Sequence, residues 1–286
     1  MIIDYDKVTN HLVNWIRDYA KNAGKKVLVV NMSINIETAL VAFLCKQTNL
    51  EVHGIYTDID DKPEDRDVIK ELVYNFEPIF INLKDTYSEL VEQMQTQEHS
   101  NEYRAEYVHD YGDMVNYFNL DRAMANFKDV ALLPVISSIA SGFNGLIVGP
   151  ENKNDLLIRA YNKYGSSNAD ILPLSDLYHS EIVELFYFIY HTNRYAKSYI
   201  IDKANNELPK YDTITNEEGE WADRENVRTN IITSEDDPIK HRDWQRYTLR
   251  QRQVIAKMHQ AEKMSRHKYN PNIPRCAIRN LDGFVR

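Results

Sequence analysis

Between Lys26 and Asn31 the chain reads Val27, Leu28, Val29 and Val30, four apolar residues with no polar alternation. A strand of that composition has no side to offer to water, a pattern that belongs to parallel sheets covered on both faces by helices. The grammar repeats along the first half of the chain. Residues 51–56, 78–82 and 145–149 read as further strands, and helical patterns fall around them at 4–22, 39–45, 64–76 and 126–142. The first of these carries Val8, Leu12, Val13, Ile16 and Tyr19 on one stripe and is closed by Gly24. Alternating strands and helices predict an α/β fold, a parallel sheet flanked by helices, with the loop 32–37 at the carboxyl edge of the sheet.

The remainder is less regular. Residues 95–125 are polar, tyrosine-rich and without a clear period, so they read as an irregular excursion or short helices. Residues 176–190 and 193–203 look helical. From 205 to 242 the pattern breaks into a charged stretch that includes Glu217, Glu218, Glu220 and Glu235-Asp236-Asp237. A loop of that length in a compact domain reads as a functional lid or as disorder. A polar helix at 243–264 and a basic, proline-bearing tail follow. We therefore expect residues 1–286 to form one domain, with a candidate lid at 205–242 and a C-terminal helix plus tail at 243–286.

The formal net charge of -9 argues against a nucleic-acid partner, which would call for a basic patch or stripe. It does not oppose binding of a single nucleotide, where a few local donors decide. Only Cys45 and Cys276 occur, neither in a metal-like spacing, so no disulfide framework or zinc site is implied. Acidic and basic residues from Asp4 to Asp18 leave no readable secretion signal, and no apolar run approaches a membrane span. A cytoplasmic location without membrane contact is the expectation. Glycine is scarce, 9 in all, which matters because loops that wrap phosphates normally depend on it.

The chemistry-bearing segment follows the first strand. Residues 32–38 place a polar loop between a buried strand and a helix N-terminus, where open α/β sheets bind ligands and free N–H groups face an anion. On composition alone the same residues also read as a plain helix cap, with Ser33 as cap and Glu37 in the first turn.

Four segments carry a resemblance. Ser33-Ile34-Asn35-Ile36-Glu37-Thr38 resembles the pyrophosphate loop S-G-G-x-D-S of the ATP pyrophosphatases. The run from Ile147 to Asp155 resembles their strand-end G-T-x-N-K-x-E. The run from Lys163 through Asp170 to Tyr178 resembles K-[FY]-G-D-G-x-A-D-x-x-P-[IL]-x-x-L-[YT], and Ser265-Arg266-His267-Lys268 with Pro271 and Pro274 resembles a C-terminal S-x-H-K-R-x-x-P. Together, in this order, they resemble the ammonia-dependent NAD synthetases, of the PP-loop ATP pyrophosphatase superfamily. The third run is the most specific of the four.

That resemblance implies an adenine nucleotide alpha hydrolase-like fold and a two-step amidation of deamido-NAD with ATP, Mg²⁺ and ammonia. It implies that Ser33, Asn35 and Thr38 contact the leaving pyrophosphate, that Glu37 and Asp155 hold Mg²⁺, and that Lys163 neutralises phosphate charge. Lys153, Asp170, His267 and Lys268 fall on the substrate side. A homodimer whose dinucleotide site spans the interface is implied as well.

The departures from the family pattern are specific. Ile34 and Asn35 replace two glycines, and a β-branched residue resists positive φ. Glu37 and Asp155 keep both acids with their lengths exchanged. Asn126 to Leu133 aligns with a segment that carries two arginines in the family and none here. Pro150 replaces a threonine, and Gly165-Ser166-Ser167 replaces Gly-Asp-Gly. Two alternatives therefore stand beside the active synthetase: a synthetase-like pseudoenzyme that binds a nucleotide or a partner protein, and an adenylating enzyme with another acceptor.

Overall fold

The computed structural model describes residues 4–59, 63–72, 76–99, 120–158, 169–192, 252, 256, 273–278, 281, 283 and 284. The first helix, α1 (Tyr5–Asn22), starts where Asp4 accepts a hydrogen bond from the Lys7 N–H and buries Val8, Leu12, Val13, Ile16 and Ala20. It stops at Gly24, whose φ of 68° lies in the left-handed region that costs glycine least. Strand β1 (Val27–Asn31) follows, then α2 (Ile36–Gln47), β2 (Glu51–Asp58), α3 (Pro63–Leu72), β3 (Ile79–Asn82) and α4 (Lys84–His99). After the segment 100–119 come α5 (Leu120–Gly142), β4 (Leu146–Val148), α6 (Lys153–Ile158) and α7 (His179–Thr192).

The four strands are parallel, in the order β3-β2-β1-β4. The alternation within β1 divides the molecule. Leu28 and Val30 point into the main core with α1, α2 and α7, while Val27 and Val29 meet Leu132, Ile136, Ile139 and Ala140 of α5 on the other face. Helix α2 is apolar almost all round because it lies under α1 and α7 and over the sheet; Ile36, Leu40 and Leu44 are fully buried. Each such side chain contributes roughly 1.5–3 kcal/mol on leaving water, which outweighs the indifferent helix propensity of its β-branched neighbours.

Sheet order positions the site. From β1 the chain moves outward through β2 to β3 and then returns to the opposite side of β1 for β4. The gap between the carboxyl ends of β1 and β4 is therefore a topological switch point, where a crevice opens in sheets of this kind. Strand β2 outruns its neighbour: Asn31 pairs with Ile55, yet β2 continues to Asp58, paired there with Asn82 of β3. Asp58 is 1 % exposed, and Arg66 of α3 donates to its Oδ2 from Nε at 2.9 Å and from a terminal nitrogen at 2.7 Å.

The parallel sheet, its helices and the placing of the loop 32–37 agree with the sequence pattern. Several boundaries differ. Helix α2 begins at Ile36 rather than at residue 39, because Asn35 supplies the cap three residues upstream of Thr38. Residues 95–99 end a sixteen-residue helix, α4, and α5 starts at Leu120 rather than at residue 126. Helix α4 hid in the sequence because Tyr87, Leu90 and Val91 are few, and much of its surface remains in water. The segments expected as the helix 193–203, the lid 205–242 and the helix 243–264 lie outside the described residues apart from 252 and 256. Among the described residues no helix is long and apolar enough to cross a membrane.

Candidate functional site

Strand β1 delivers the loop to the switch point. The Met32 N–H still donates to Ile55 O at 2.7 Å, so pairing with β2 runs one residue past the strand before the chain turns. Asn35 is extended, with φ -141° and ψ 163°, and its Oδ1 accepts the Thr38 N–H at 2.7 Å as the cap of α2. The cap is thus Asn35, not Ser33. The Asn35 amide Nδ2 donates in turn to Ser33 Oγ at 2.9 Å, and Ser33 Oγ lies 3.0 Å from Thr38 Oγ1. Ser33, Asn35 and Thr38 form one closed knot of hydrogen bonds at the mouth of the helix.

Among the described residues positive φ at non-glycine positions is confined to Asn49 and Asn144. Ile34 and Asn35 therefore follow a path that asks nothing of glycine. Ile34 is half-buried and packs against the main core, which turns its side chain inward.

Glu37, in the first turn of α2, faces the opposite wall of the crevice. Its Oε1 accepts from His179 Nδ1 at 2.6 Å and from Asn152 Nδ2 at 3.2 Å. Glu37 and His179 side chains are each 14 % exposed. Burial alone would raise the Glu37 carboxyl. The hydrogen bond and charge of His179, the N–H of Glu37 itself and the Asn152 amide outweigh it and hold the group below the ordinary glutamate range.

Asp155 stands on the first turn of α6, where Asn152 acts as cap. The Asp155 N–H donates to Asn152 Oδ1 at 3.0 Å, and the Asn152 N–H donates to Asp155 Oδ2 at 3.3 Å. Lys153 is engaged at 2.9 Å with Asp176 Oδ1, its Nζ 5.2 Å from the centre of the Tyr178 ring. Asp170 is exposed, and one of its oxygens accepts the Ile147 N–H at 2.8 Å along the outer edge of β4. Lys163, His267 and Lys268, and the turn Gly165-Ser166-Ser167, lie outside the described residues. Among the described residues no group of three or more His, Cys, Asp or Glu is arranged to hold a metal ion.

The structure thus brings together Ser33, Asn35, Glu37 and Thr38 at the start of α2 and links Glu37 to Asp155 through Asn152, while Lys153 turns to Asp176 and Asp170 lies outside the crevice on the outer edge of β4. It adds Asn152 and His179. Asn152 left a faint trace in the sequence, since Asn-x-x-Asp before an apolar pair has the spacing of a capping box. His179 left none: Tyr178-His179-Ser180-Glu181 reads as an ordinary helix start.

A sequence model described as NAD synthase matches residues 8–195, well over half of the chain. The chain belongs to the NAD synthase family. Relatives include the NH(3)-dependent NAD(+) synthetase of Carboxydothermus hydrogenoformans, 26% identical over 187 residues, a match covering 64% of this chain and 70% of that protein. That of Alkaliphilus oremlandii is 28% identical over 190 residues with the same coverage, 64% and 70%. Among solved structures, the NH3-dependent NAD synthetase of Campylobacter jejuni superposes with a TM-score of 0.64 at 19% identity, covering 94% of this chain and 97% of its own. The NMN synthetase of Francisella tularensis gives 0.62 at 19% identity, covering 94% and 99%. The sheet described above is therefore the ATP pyrophosphatase fold that NAD synthases share. The family match ends at residue 195, short of the candidate lid and tail.

Proposed function

We propose that this chain is an ammonia-dependent synthetase that converts deamido-NAD to NAD at the expense of ATP. The observation that carries the reading is the convergence, at the β1/β4 switch point, of the α2 N-terminus with Glu37 and Asp155 on facing walls. In the reaction the nicotinate carboxylate oxygen attacks the α-phosphorus of ATP, and the bond to pyrophosphate breaks. Ammonia then attacks the acyl carbon of the adenylate, AMP departs with the former carboxylate oxygen, and the nitrogen loses a proton to water. Neither step asks for a protein nucleophile. Both ask for charge neutralisation and in-line placement.

Ser33, Asn35 and Thr38 hold the leaving pyrophosphate through the mouth of α2, whose N–H groups and dipole favour an anion. Their mutual hydrogen bonds keep the loop shaped before nucleotide arrives. Lys163 balances phosphate charge, and Lys153, Asp170, His267 and Lys268 serve the dinucleotide side. Glu37 and Asp155 fit Mg²⁺ as hard oxygen donors meeting at one residue, Asn152, and this ion characteristically takes one or two carboxylates together with phosphate oxygens and water. When bound it would neutralise charge on the departing pyrophosphate.

The inward-turned Ile34 favours an active loop over a blocked one, since its side chain is spent on the core. We further propose that the protein acts in the cytoplasm as a homodimer.

The deciding experiment incubates purified protein with deamido-NAD, ATP, Mg²⁺ and ammonium and follows NAD and AMP by mass spectrometry. Equal amounts of the two support the reading. Absence of both with deamido-NAD, alongside AMP formation with nicotinate mononucleotide or another carboxylate, would move the chain to a different acceptor.

A further inference from the structure

We propose that Asn152 is a positioning residue of this site, fixing the Glu37 and Asp155 carboxylates relative to each other and thereby setting divalent-cation affinity. The proposal rests on the reading above, in which those two carboxylates hold the cation.

Asn152 is 3 % exposed and engages both acids with three of its polar groups. Its Oδ1 accepts the Asp155 N–H and its own N–H donates to Asp155 Oδ2, the reciprocal pair that starts α6. With the amide oxygen committed to an N–H, the amide nitrogen has to point the other way, and it meets Glu37 Oε1 at 3.2 Å. Chemistry fixes this orientation. A flipped amide would set NH₂ against the Asp155 N–H and an oxygen against the Glu37 carboxylate, two repulsions in place of two bonds.

The cap explains only part of this. Serine and threonine cap helices about as well as asparagine, because a cap needs an oxygen. What asparagine adds is a donor facing outward from the same planar group, and here that donor reaches an acid 115 positions away in the chain. His179 bonds to the same Oε1, so two donors from the α6 cap and from α7 fix the rotation of the carboxylate. Outer partners of this kind orient the groups that touch a cation, and their loss typically costs about 10–100-fold in affinity or activity.

The test is Asn152→Ser, with Asn152→Thr as a second variant; each keeps an oxygen for the Asp155 N–H and deletes the donor to Glu37. Mn²⁺ binding in the presence of ATP is titrated by electron paramagnetic resonance, and Tm is measured without metal or nucleotide. The expected result is Mn²⁺ affinity weakened about 10–100-fold at a Tm close to the parent's, together with a raised Mg²⁺ half-saturation for turnover. A residue that merely caps α6 would leave Mn²⁺ affinity untouched in both variants, and that result overturns the proposal. So does a loss of affinity that appears only in a variant whose Tm has collapsed. Glu37→Gln and Asp155→Asn are run alongside. If these too bind Mn²⁺ like the parent, the two-carboxylate reading has failed; if they lose binding while Asn152→Ser and Asn152→Thr do not, only the positioning role has.

Discussion

Replacing Gly149 with alanine puts a methyl group where the fold has no room for one. A Cβ at that position would lie 2.5 Å from Glu151 Oε2, 2.6 Å from Ala169 Cβ and 2.7 Å from Leu172 Cδ2. Carbon atoms prefer about 3.5–4.0 Å, so the two carbon contacts are deep in the repulsive range, and the contact with the Glu151 oxygen is closer still. The Glu151 and Leu172 side chains have some freedom, but both are buried and can turn only into other neighbours. Ala169 Cβ has none, since it moves only with its backbone. That backbone is held close: the Gly149 N–H donates to Ile171 O at 2.9 Å and the Asp170 N–H to Ile147 O at 2.9 Å. Relief therefore means prying residues 169–172 away from the end of β4. Overpacking of this kind costs about 1–3 kcal/mol, and in a domain of this size that lowers Tm by roughly 3–10 °C. The strand end that shifts leads directly to Asn152 and Asp155. Mg²⁺–ATP affinity should fall as well, at temperatures far below unfolding. Thermal denaturation and calorimetric titration with Mg²⁺–ATP measure the two effects. A Tm within about 1 °C of the parent, with unchanged affinity, would refute the reasoning, because it would mean that the walls at Gly149 are soft.

Three further expectations follow from the same geometry. Arg66→Met leaves the Asp58 carboxylate buried without its guanidinium; the pair is partly open to water at Arg66, so urea unfolding should show a loss of about 2–3 kcal/mol, below the 3–5 of a fully buried pair. Glu37 has its carboxyl held below the ordinary value of 4.5, so its contribution is present above that value and lost as pH falls through the lower folded value. Glu37→Gln should flatten the acid limb of stability below about pH 4.5, and a parallel acid limb in both proteins would contradict this. Ile34→Gly with Asn35→Gly should weaken ATP binding rather than restore it, because Ile34 does not block the loop and Asn35 shapes it, and should cost roughly 1–2 kcal/mol in lost core packing and cap. Undetectable ATP binding by calorimetry in both parent and variant would sink the synthetase reading.

The fold was legible because its information is periodic. Strand β1, buried on both faces, must read as an apolar run, and the stripe from Val8 to Ala20 can bury only as a helix. Helix α4 was not legible in that way, since an element half in water leaves a weak period. The loop was legible in position but not in detail. Ile34 in a glycine slot suggests a strained backbone, yet the chain avoids the strain by capping α2 with Asn35 and turning the isoleucine into the core. Glu37 and Asp155 could be picked out as acids at the ends of two elements. What they touch could not, because Asn152 and His179 reach Glu37 across 115 and 142 residues of chain, and no local pattern records such a meeting.

Residues 274–278 give the chain a schedule. Cys276 and Ile278 are fully buried in the main core, Leu172 is clamped between Pro274 O and the Cys276 N–H, and Asp176 takes the Ile278 N–H across 102 positions. Synthesis runs from the N-terminal end at about 5–20 residues per second, so the sheet and α2 emerge well before this segment does. Throughout that interval Leu172 lacks the main-chain partners that Pro274 and Cys276 supply, and the space that Cys276 and Ile278 fill in the main core stands open. The wall that carries Asn152 and Lys153 settles only when that space is filled. A translational pause between α7 and residue 274 would therefore be felt as aggregation rather than as a slow enzyme, and coexpression with a holdase chaperone should recover soluble protein.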